Sequence, residues 1–166
     1  MEQAQVLTFL NNKDRDLLLQ FCGYSTTEPL HSFGPAVRPH YIIHFILNGK
    51  GIFQIREKTY HLETGQGFLI EPDELTFYQS DAQEPWEYPW IGFNGKMIPE
   101  FLKQIGLSSA HPIFHCDKKK ELYWLVNDML VHSKSNFSSD LRRTGLLYEF
   151  LSILALNPLE SDQQVD

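Results

Sequence analysis

The sequence predicts a mainly β fold with helices at its C-terminal end, and three observations lead to this prediction. Between residues 16 and 95, short apolar runs alternate with frequent Gly and Pro, which is typical of short strands joined by turns. After residue 95, apolar residues recur at helical spacing instead. The 166 residues are 42% hydrophobic and 13% aromatic, enough for one well-filled core and too few for two full domains.

Composition excludes several classes of protein. A net charge of −7 and a pI near 5.4 lack the basic surface of a protein that binds nucleic-acid phosphates by itself. Cys22 and Cys116 lie far apart, which favours reduced thiols over a disulfide framework or a zinc site. The longest apolar runs fall short of the ~18 residues that span a bilayer, so we expect a cytoplasmic protein without membrane contact.

The first half of the chain divides into strands and turns. Leu17, Leu19 and Phe21 occupy alternate positions of residues 17–22, which predicts a strand that stops at Gly23. The prolines of 26–35 predict an ordered loop. The glycine-rich segment 48–51 predicts a hairpin turn between strands 41–47 and 52–55. Further strands are expected at 60–63, 68–70, 76–79 and 88–95, a number and spacing typical of a barrel or sandwich.

Three helices are expected in the second half. The first spans about 98–105 and stops at Gly106, and the second covers 122–130. The third is predicted to be capped by Ser139-Asp140 and ended by Asn157-Pro158.

Four segments in order resemble the N-terminal domain of AraC-family transcription regulators. They are RPHYIIHFILNGKG (38–51), GQGFLIEP (65–72), FYQSD (77–81) and PWEYPWIGF (85–93). The resemblance is to the branch from low-GC Gram-positive bacteria that governs oligosaccharide operons of the raffinose and multiple-sugar type.

The resemblance implies a cupin-like double-stranded β-helix, a jelly-roll barrel that holds a small ligand without a cofactor, followed by an α-helical dimerisation segment. On this basis 1–40 forms an N-terminal arm and first strand, 41–95 the barrel core, and 96–158 the helices. We expect DNA contact only through a C-terminal helix-turn-helix domain that is absent from this chain, which agrees with its acidic charge.

The aromatic candidates for ligand binding lie on neighbouring predicted strands. Trp86, Tyr88 and Trp90 occupy alternate positions, so a strand would direct all three to one face. The resemblance implies that Trp90 stacks on a sugar and that Tyr78 donates a hydroxyl hydrogen bond. The alternative is that these rings simply fill the barrel.

Polar candidates come from the turns. Asn48 and Tyr88 stand where the arabinose sensor of the family has Arg and His, which argues against L-arabinose as the ligand. The resemblance to the raffinose and multiple-sugar branch implies instead an oligosaccharide such as an α-galactoside. His31 and Phe33 would cover the mouth of the pocket, and Arg38 would supply the missing guanidinium. The alternatives are a fixed loop and a surface arginine.

A metal-dependent cupin enzyme acting on a sugar or small acid is the alternative function. Such enzymes resemble one another in an HxH pair and a later His. Here His40 and His44 would lie about 13 Å apart on a strand, too far to share one metal ion, and Phe77 replaces the later His. We therefore expect no metal and no catalytic residue, with both histidines satisfied by barrel or surface partners.

The third helix carries an apolar stripe that is wide for a helix covering only its own barrel. The stripe predicts a homodimer interface, with core packing as the alternative. The domain would then sense a sugar and change how two protomers present their DNA-binding domains. The stripe consists of Leu146, Leu147, Phe150, Leu151 and Leu154.

Overall fold

The computed structural model describes residues 3–8 and 15–156, and within them two antiparallel sheets face each other. The larger sheet has the strand order β1-β2-β9-β4-β7-β10 and the smaller one β3-β8-β5-β6. The prediction of a mainly β fold with C-terminal helices is confirmed. The elements are β1 (Gln3–Thr8), β2 (Leu18–Thr26), β3 (Ser32–Val37), β4 (Tyr41–Phe45), β5 (Lys50–Ile55), β6 (Lys58–Glu63), β7 (Gln66–Ile70), β8 (Leu75–Ser80), β9 (Glu87–Asn94), α1 (Ile98–Ile105), β10 (Ile113–His115), α2 (Lys119–Val131) and α3 (Phe137–Leu154).

The central strands of the larger sheet are buried on both faces. On β4, Ile42 belongs to the apolar cluster between the sheets. Its neighbours Ile43 and Phe45 belong to the cluster beneath the helices. Successive side chains of a strand point to opposite faces, so a strand covered on both sides reads as a continuous apolar run. The larger sheet is therefore a wall shared by two cores.

The segment before residue 41 contributes more of the barrel than the sequence predicts. β2 continues through Gly23 because that residue pairs with Trp90 on β9, so the predicted stop is wrong. The expected loop at 26–35 overlaps β3, which contains Pro35. A strand tolerates a proline at a sheet edge, where its missing N–H breaks no ladder, and β3 is such an edge.

The predicted hairpin around residues 48–51 is wrong. β4 pairs with β7 and β9, whereas β5 pairs with β6 and β8 in the other sheet. Residues 46–49 therefore turn a corner between sheets. The tight hairpin joins β5 to β6 through Arg56 and Glu57, whose φ angles of 49° and 65° match a type I′ turn. This hairpin could not be predicted from the turn residues, because neither Arg56 nor Glu57 is Gly or Asn.

The helices follow the predicted order; α1 has the predicted bounds, and those of α2 and α3 differ from the prediction. α1 is capped at its C-terminal end by Gly106, the predicted stop, which adopts a left-handed conformation with φ 93°. α3 begins at Phe137, because the Asn136 side chain accepts a hydrogen bond from the Ser139 N–H; the predicted cap at Ser139-Asp140 is wrong. The predicted end at Asn157-Pro158 lies outside the described residues. No helix in residues 3–8 and 15–156 has the length and apolar character needed to cross a bilayer.

Candidate functional site

A cavity of about 490 Å³ lies between the two sheets. Its volume falls within the ~300–1,000 Å³ typical of small-molecule sites. Both sheets, the loop before β3 and the loop before β4 contribute to its walls. The lining residues are Val6, Thr8, Phe21, His31, Phe33, Arg38, His40, His44, Tyr78, Tyr88 and Trp90. The structure thus brings together most of the ligand-binding residues predicted from the sequence, with Asn48 and Trp86 placed elsewhere.

Strand register explains how the aromatic walls form. Trp86, Tyr88 and Trp90 all belong to the inter-sheet cluster, as their alternate spacing predicts. Trp90 is the half-buried member, so part of its indole borders the cavity. Tyr88 and Tyr78 are 4% and 5% exposed and close the cavity from β9 and β8. A flat, partly accessible indole beside two phenol rings is the type of surface that stacks on the C–H face of a sugar.

Trp86 belongs to the barrel core and not to the cavity, which corrects its predicted role. Its ring is 1% exposed and its Nε1 donates a hydrogen bond to the Leu62 carbonyl at 3.2 Å. The indole lies directly over Gly51, where a Cβ would approach the ring to 2.5 Å. Because its polar atom is satisfied and its ring enclosed, Trp86 supports the fold.

Asn48 also lies away from the cavity. Its Nδ2 donates to Glu87 Oε2 at 3.0 Å on the exposed end of the larger sheet. There it borders a depression that Lys119 and Lys120 also line. The physical reason is the corner at residues 46–49, which carries Asn48 outward instead of into a hairpin beside the ligand.

The mouth of the cavity is built from stacked rings and one cation. Phe33 is 38% exposed and stacks on Tyr78 at 5.6 Å between ring centroids. The Arg38 guanidinium lies 5.1 Å from the Phe21 centroid and 5.2 Å from that of Phe33. Two cation–π contacts hold the guanidinium at the mouth, and its N–H groups are hydrogen-bond donors.

The loop that carries His31 is fixed to β8. The Ser80 N–H donates to the His31 carbonyl at 2.8 Å, and the His31 N–H donates to the Glu28 carbonyl at 3.0 Å. Backbone hydrogen bonds thus place His31 at the cavity wall.

His44 is a lining residue that the sequence interpretation missed. Its imidazole is 2% exposed and stacks on Phe68 at 4.6 Å. Among the side chains that the structure describes, His44 Nδ1 is the buried nitrogen or oxygen atom without a hydrogen-bond partner. The expectation that His44 is satisfied is therefore wrong. The signal was available in the sequence, since His44 alternates with the inward-facing Ile42 and Ile46.

Burial disfavours the charged form of two histidines in the wall, His40 and His44. Burial, and secondarily the charge of Arg38, lowers the pKa of His44 to about 3. The same two causes, in the same order, lower the pKa of His40, whose Nδ1 lies 2.8 Å from Gln20 Oε1. The lining, as far as the structure describes it, holds one arginine and three histidines and no carboxylate. Within the described ranges, no three His, Cys, Asp or Glu side chains are placed to share a metal ion.

A larger groove of about 660 Å³ crosses β5, β6 and β8 on the outside. Lys50 there forms an ion pair with Glu84 at 3.1 Å, and Asp81 accepts hydrogen bonds from the N–H groups of Gln83 and Glu84. The described residues of its wall include no Phe, Tyr or Trp. A sugar needs an aromatic surface for its apolar face, so the inter-sheet cavity is the better candidate.

The apolar stripe of α3 is buried within the protomer, which corrects its predicted role in dimerisation. Its five members pack beneath the helices against the outer face of the larger sheet. That face is apolar and needs a cover, which accounts for the width of the stripe. The exposed apolar residues of α3 are instead Phe137, Leu141 and Tyr148, at 75%, 54% and 44%. The buried stripe comprises Leu146 (6%), Leu147 (0%), Phe150 (1%), Leu151 (5%) and Leu154 (7%).

Comparison with solved structures finds neighbours of low sequence identity. A Cupin 2 conserved barrel domain protein from Salinispora arenicola superposes with a TM-score of 0.45 and 14% identity, over 62% of this chain and 84% of that one. The plu4264 protein from Photorhabdus luminescens gives a TM-score of 0.45 and 13% identity, over 63% and 84%.

Comparison by sequence finds curated transcription regulators. The Msm operon regulatory protein of Streptococcus mutans is 37% identical over 143 residues, covering 84% of this chain and 50% of the relative. The lactose operon transcription activator of Staphylococcus xylosus is 29% identical, with 84% and 50% covered. A raffinose operon transcriptional regulatory protein of Pediococcus pentosaceus is 29% identical, with 75% and 50% covered.

The chain therefore spans about half the length of these relatives. A match to the family described as AraC-like ligand binding domain extends over residues 18–151, which include β2 to β10 and most of the three helices. The chain belongs to the AraC-like ligand-binding domain family.

Proposed function

We propose that this domain binds a sugar in the inter-sheet cavity and that the binding controls a carbohydrate-utilisation operon in a longer protein. The observation that carries the proposal is the combination of a partly accessible Trp90 indole with a fixed Arg38 guanidinium in one cavity. A sugar has an apolar C–H face and a rim of hydroxyls. Trp90 provides a surface for the face, and Arg38 donors for the rim.

An oligosaccharide such as an α-galactoside is the ligand class that we propose. Two of the relatives take their names from the raffinose and lactose operons, which supports a sugar of two or three units. The exposed Phe33 marks an open mouth, through which a further unit can project while the first lies against Trp90.

The larger sheet offers a route from ligand to helices. On β9, Trp90 faces the cavity, whereas Ile91 and Phe93 pack beneath the helices. In addition, Arg15 pairs with Asp140 of α3 at 2.8 Å. A ligand that shifts the larger sheet therefore acts directly on the helix packing. The ligand can shift the balance between two arrangements of the helices only by the difference between its binding free energies for them, typically ~1–3 kcal/mol.

We further propose that the domain forms a homodimer and contacts DNA only through a domain outside this chain. Phe137, Leu141 and Tyr148 are spaced four and seven residues apart, which places them on one side of α3. All three are exposed. A second copy of the chain would cover this exposed stripe of α3, in place of the buried residues first predicted.

The test is a titration of the purified domain with raffinose, melibiose, lactose and galactose. Isothermal calorimetry measures binding, and thermal shift measures the change in unfolding temperature. We expect saturable binding of at least one α-galactoside, with a raised unfolding temperature. Absence of both signals for every sugar would contradict the proposed function.

A further inference from the structure

His44 is the least exposed of the residues lining the cavity, at 2%. Aromatic rings surround it: Phe68 stacks on it at 4.6 Å, and Tyr78 and Tyr88 lie at 4.9 and 5.0 Å. Trp90 is its cross-strand partner, with ring centroids 6.1 Å apart. The imidazole is thus enclosed by aromatic rings at the closed end of the cavity.

The packing of this site does not require a polar ring. Phe68, Tyr78, Tyr88 and Trp90 contact the imidazole through their ring faces and edges, and Nδ1 has no hydrogen-bond partner among the described residues. A buried polar atom left unpaired destabilises a fold, whereas a phenylalanine would keep an aromatic ring at this position without an unpaired nitrogen. Such an unpaired atom in a native protein calls for an explanation, and a bound water, ion or functional role is one. Here the imidazole borders a cavity, so a bound molecule can supply the partner.

The chemistry of the ring limits what that partner can be. A neutral imidazole has one donor and one acceptor nitrogen, and rotation about Cβ–Cγ exchanges the edge that faces the cavity. A hydroxyl both donates and accepts, so it fits either tautomer. An ammonium only donates, and it would share the cavity with the Arg38 cation.

We propose that His44 determines ligand specificity by hydrogen-bonding a hydroxyl of an uncharged sugar at the closed end of the cavity. The inference rests on the proposed sugar-sensing function. It adds the residue that recognises the end of the sugar inserted into the cavity. Trp90 recognises the face of the sugar ring, and His44 recognises one hydroxyl on its edge.

The experiment compares His44→Phe with wild type and with His61→Phe, a matched control on the exposed outer side of β6. The probes are raffinose, melibiose and galactose, titrated by calorimetry at pH 7.5. We expect His44→Phe to weaken the sugar that wild type binds by at least tenfold, about 1.4 kcal/mol. We also expect it to unfold at a higher temperature than wild type without sugar, a gain that loss of a packing residue would not produce. His61→Phe should bind with wild-type affinity.

The outcomes separate the two proposals. A wild-type protein that binds no sugar overturns the proposed function, and this inference with it. A wild-type protein that binds while His44→Phe binds within threefold overturns the His44 inference alone. If His44→Phe does not fold, ¹⁵N NMR of the wild-type imidazole decides. Its nitrogen resonances should shift when the sugar is added, and unchanged resonances overturn the inference.

Discussion

His44 on β4 and Trp90 on β9 are direct cross-strand partners whose ring planes differ by 29°. Their side chains therefore project from the larger sheet into the same cavity, one beside the other. His44 is buried and uncharged, whereas Trp90 is partly accessible. This pairing gives the proposed sugar site a hydrogen-bonding group at the closed end and a stacking surface nearer the mouth.

The depressed pKa of His44 makes stability depend on pH. The unfolded chain takes up a proton near pH 6.5, whereas the folded protein does so only near pH 3, so acid favours unfolding between these values. We expect His44 to lower the free energy of unfolding by about 2 kcal/mol between pH 7 and pH 5. Urea unfolding of wild type and His44→Phe at both pH values measures this loss. His40 is present in both proteins, so its contribution to the loss of unfolding free energy is common to both. An equal loss in wild type and His44→Phe would contradict the prediction.

Gly92 determines the shape of one cavity wall. A Cβ at this position would lie 2.1 Å from Cζ of Phe21, which lines the cavity. Gly92→Ala should push that ring into the cavity, weaken sugar binding at least tenfold and cost about 1–3 kcal/mol of stability. Calorimetry and urea unfolding measure the two effects.

The control for Gly92→Ala is Gly145→Ala on α3, where a Cβ would meet no atom within 4 Å. This variant should keep wild-type affinity and gain up to about 1 kcal/mol of stability from helix propensity. Wild-type affinity in Gly92→Ala would show that Phe21 is not part of the binding wall.

The exposed stripe of α3 predicts where two copies pair. Leu141→Glu should convert the dimer to a monomer at micromolar concentration, because it places a charge within an apolar contact. Leu75→Glu makes the same change on β8, at a residue that is 60% exposed, and should leave the dimer intact. Sedimentation velocity distinguishes the two results. A monomeric wild type, or a dimeric Leu141→Glu variant, would refute this interface.

The sequence predicted local periodicity well and long-range pairing poorly. The spacing of Trp86, Tyr88 and Trp90 was sufficient to place them on one face, because strand geometry alone sets that direction. The same spacing does not show which ring meets solvent. Burial of Trp86 depends on Leu62 and Gly51, which lie on other strands.

The wrong predictions have a common physical origin. Asn48-Gly49 favours a turn of the chain, but whether that turn closes a hairpin or a corner depends on which strands pair later. The width of the α3 stripe indicates an apolar partner, and the sheet of the same chain is one. For His44, local pattern indicates the inward face, but only the assembled barrel shows that its Nδ1 lacks a partner.

Calorimetry of Trp90→Ala beside Trp86→Phe tests the central claim most directly, because the two tryptophans belong to the same inter-sheet cluster and differ in access to the cavity. Trp86→Phe removes the hydrogen bond to the Leu62 carbonyl and should lose roughly 1–3 kcal/mol of stability while still binding the α-galactoside. Trp90→Ala should remain folded and lose detectable binding. Undiminished binding by folded Trp90→Ala would contradict the assignment of this cavity as the sugar site.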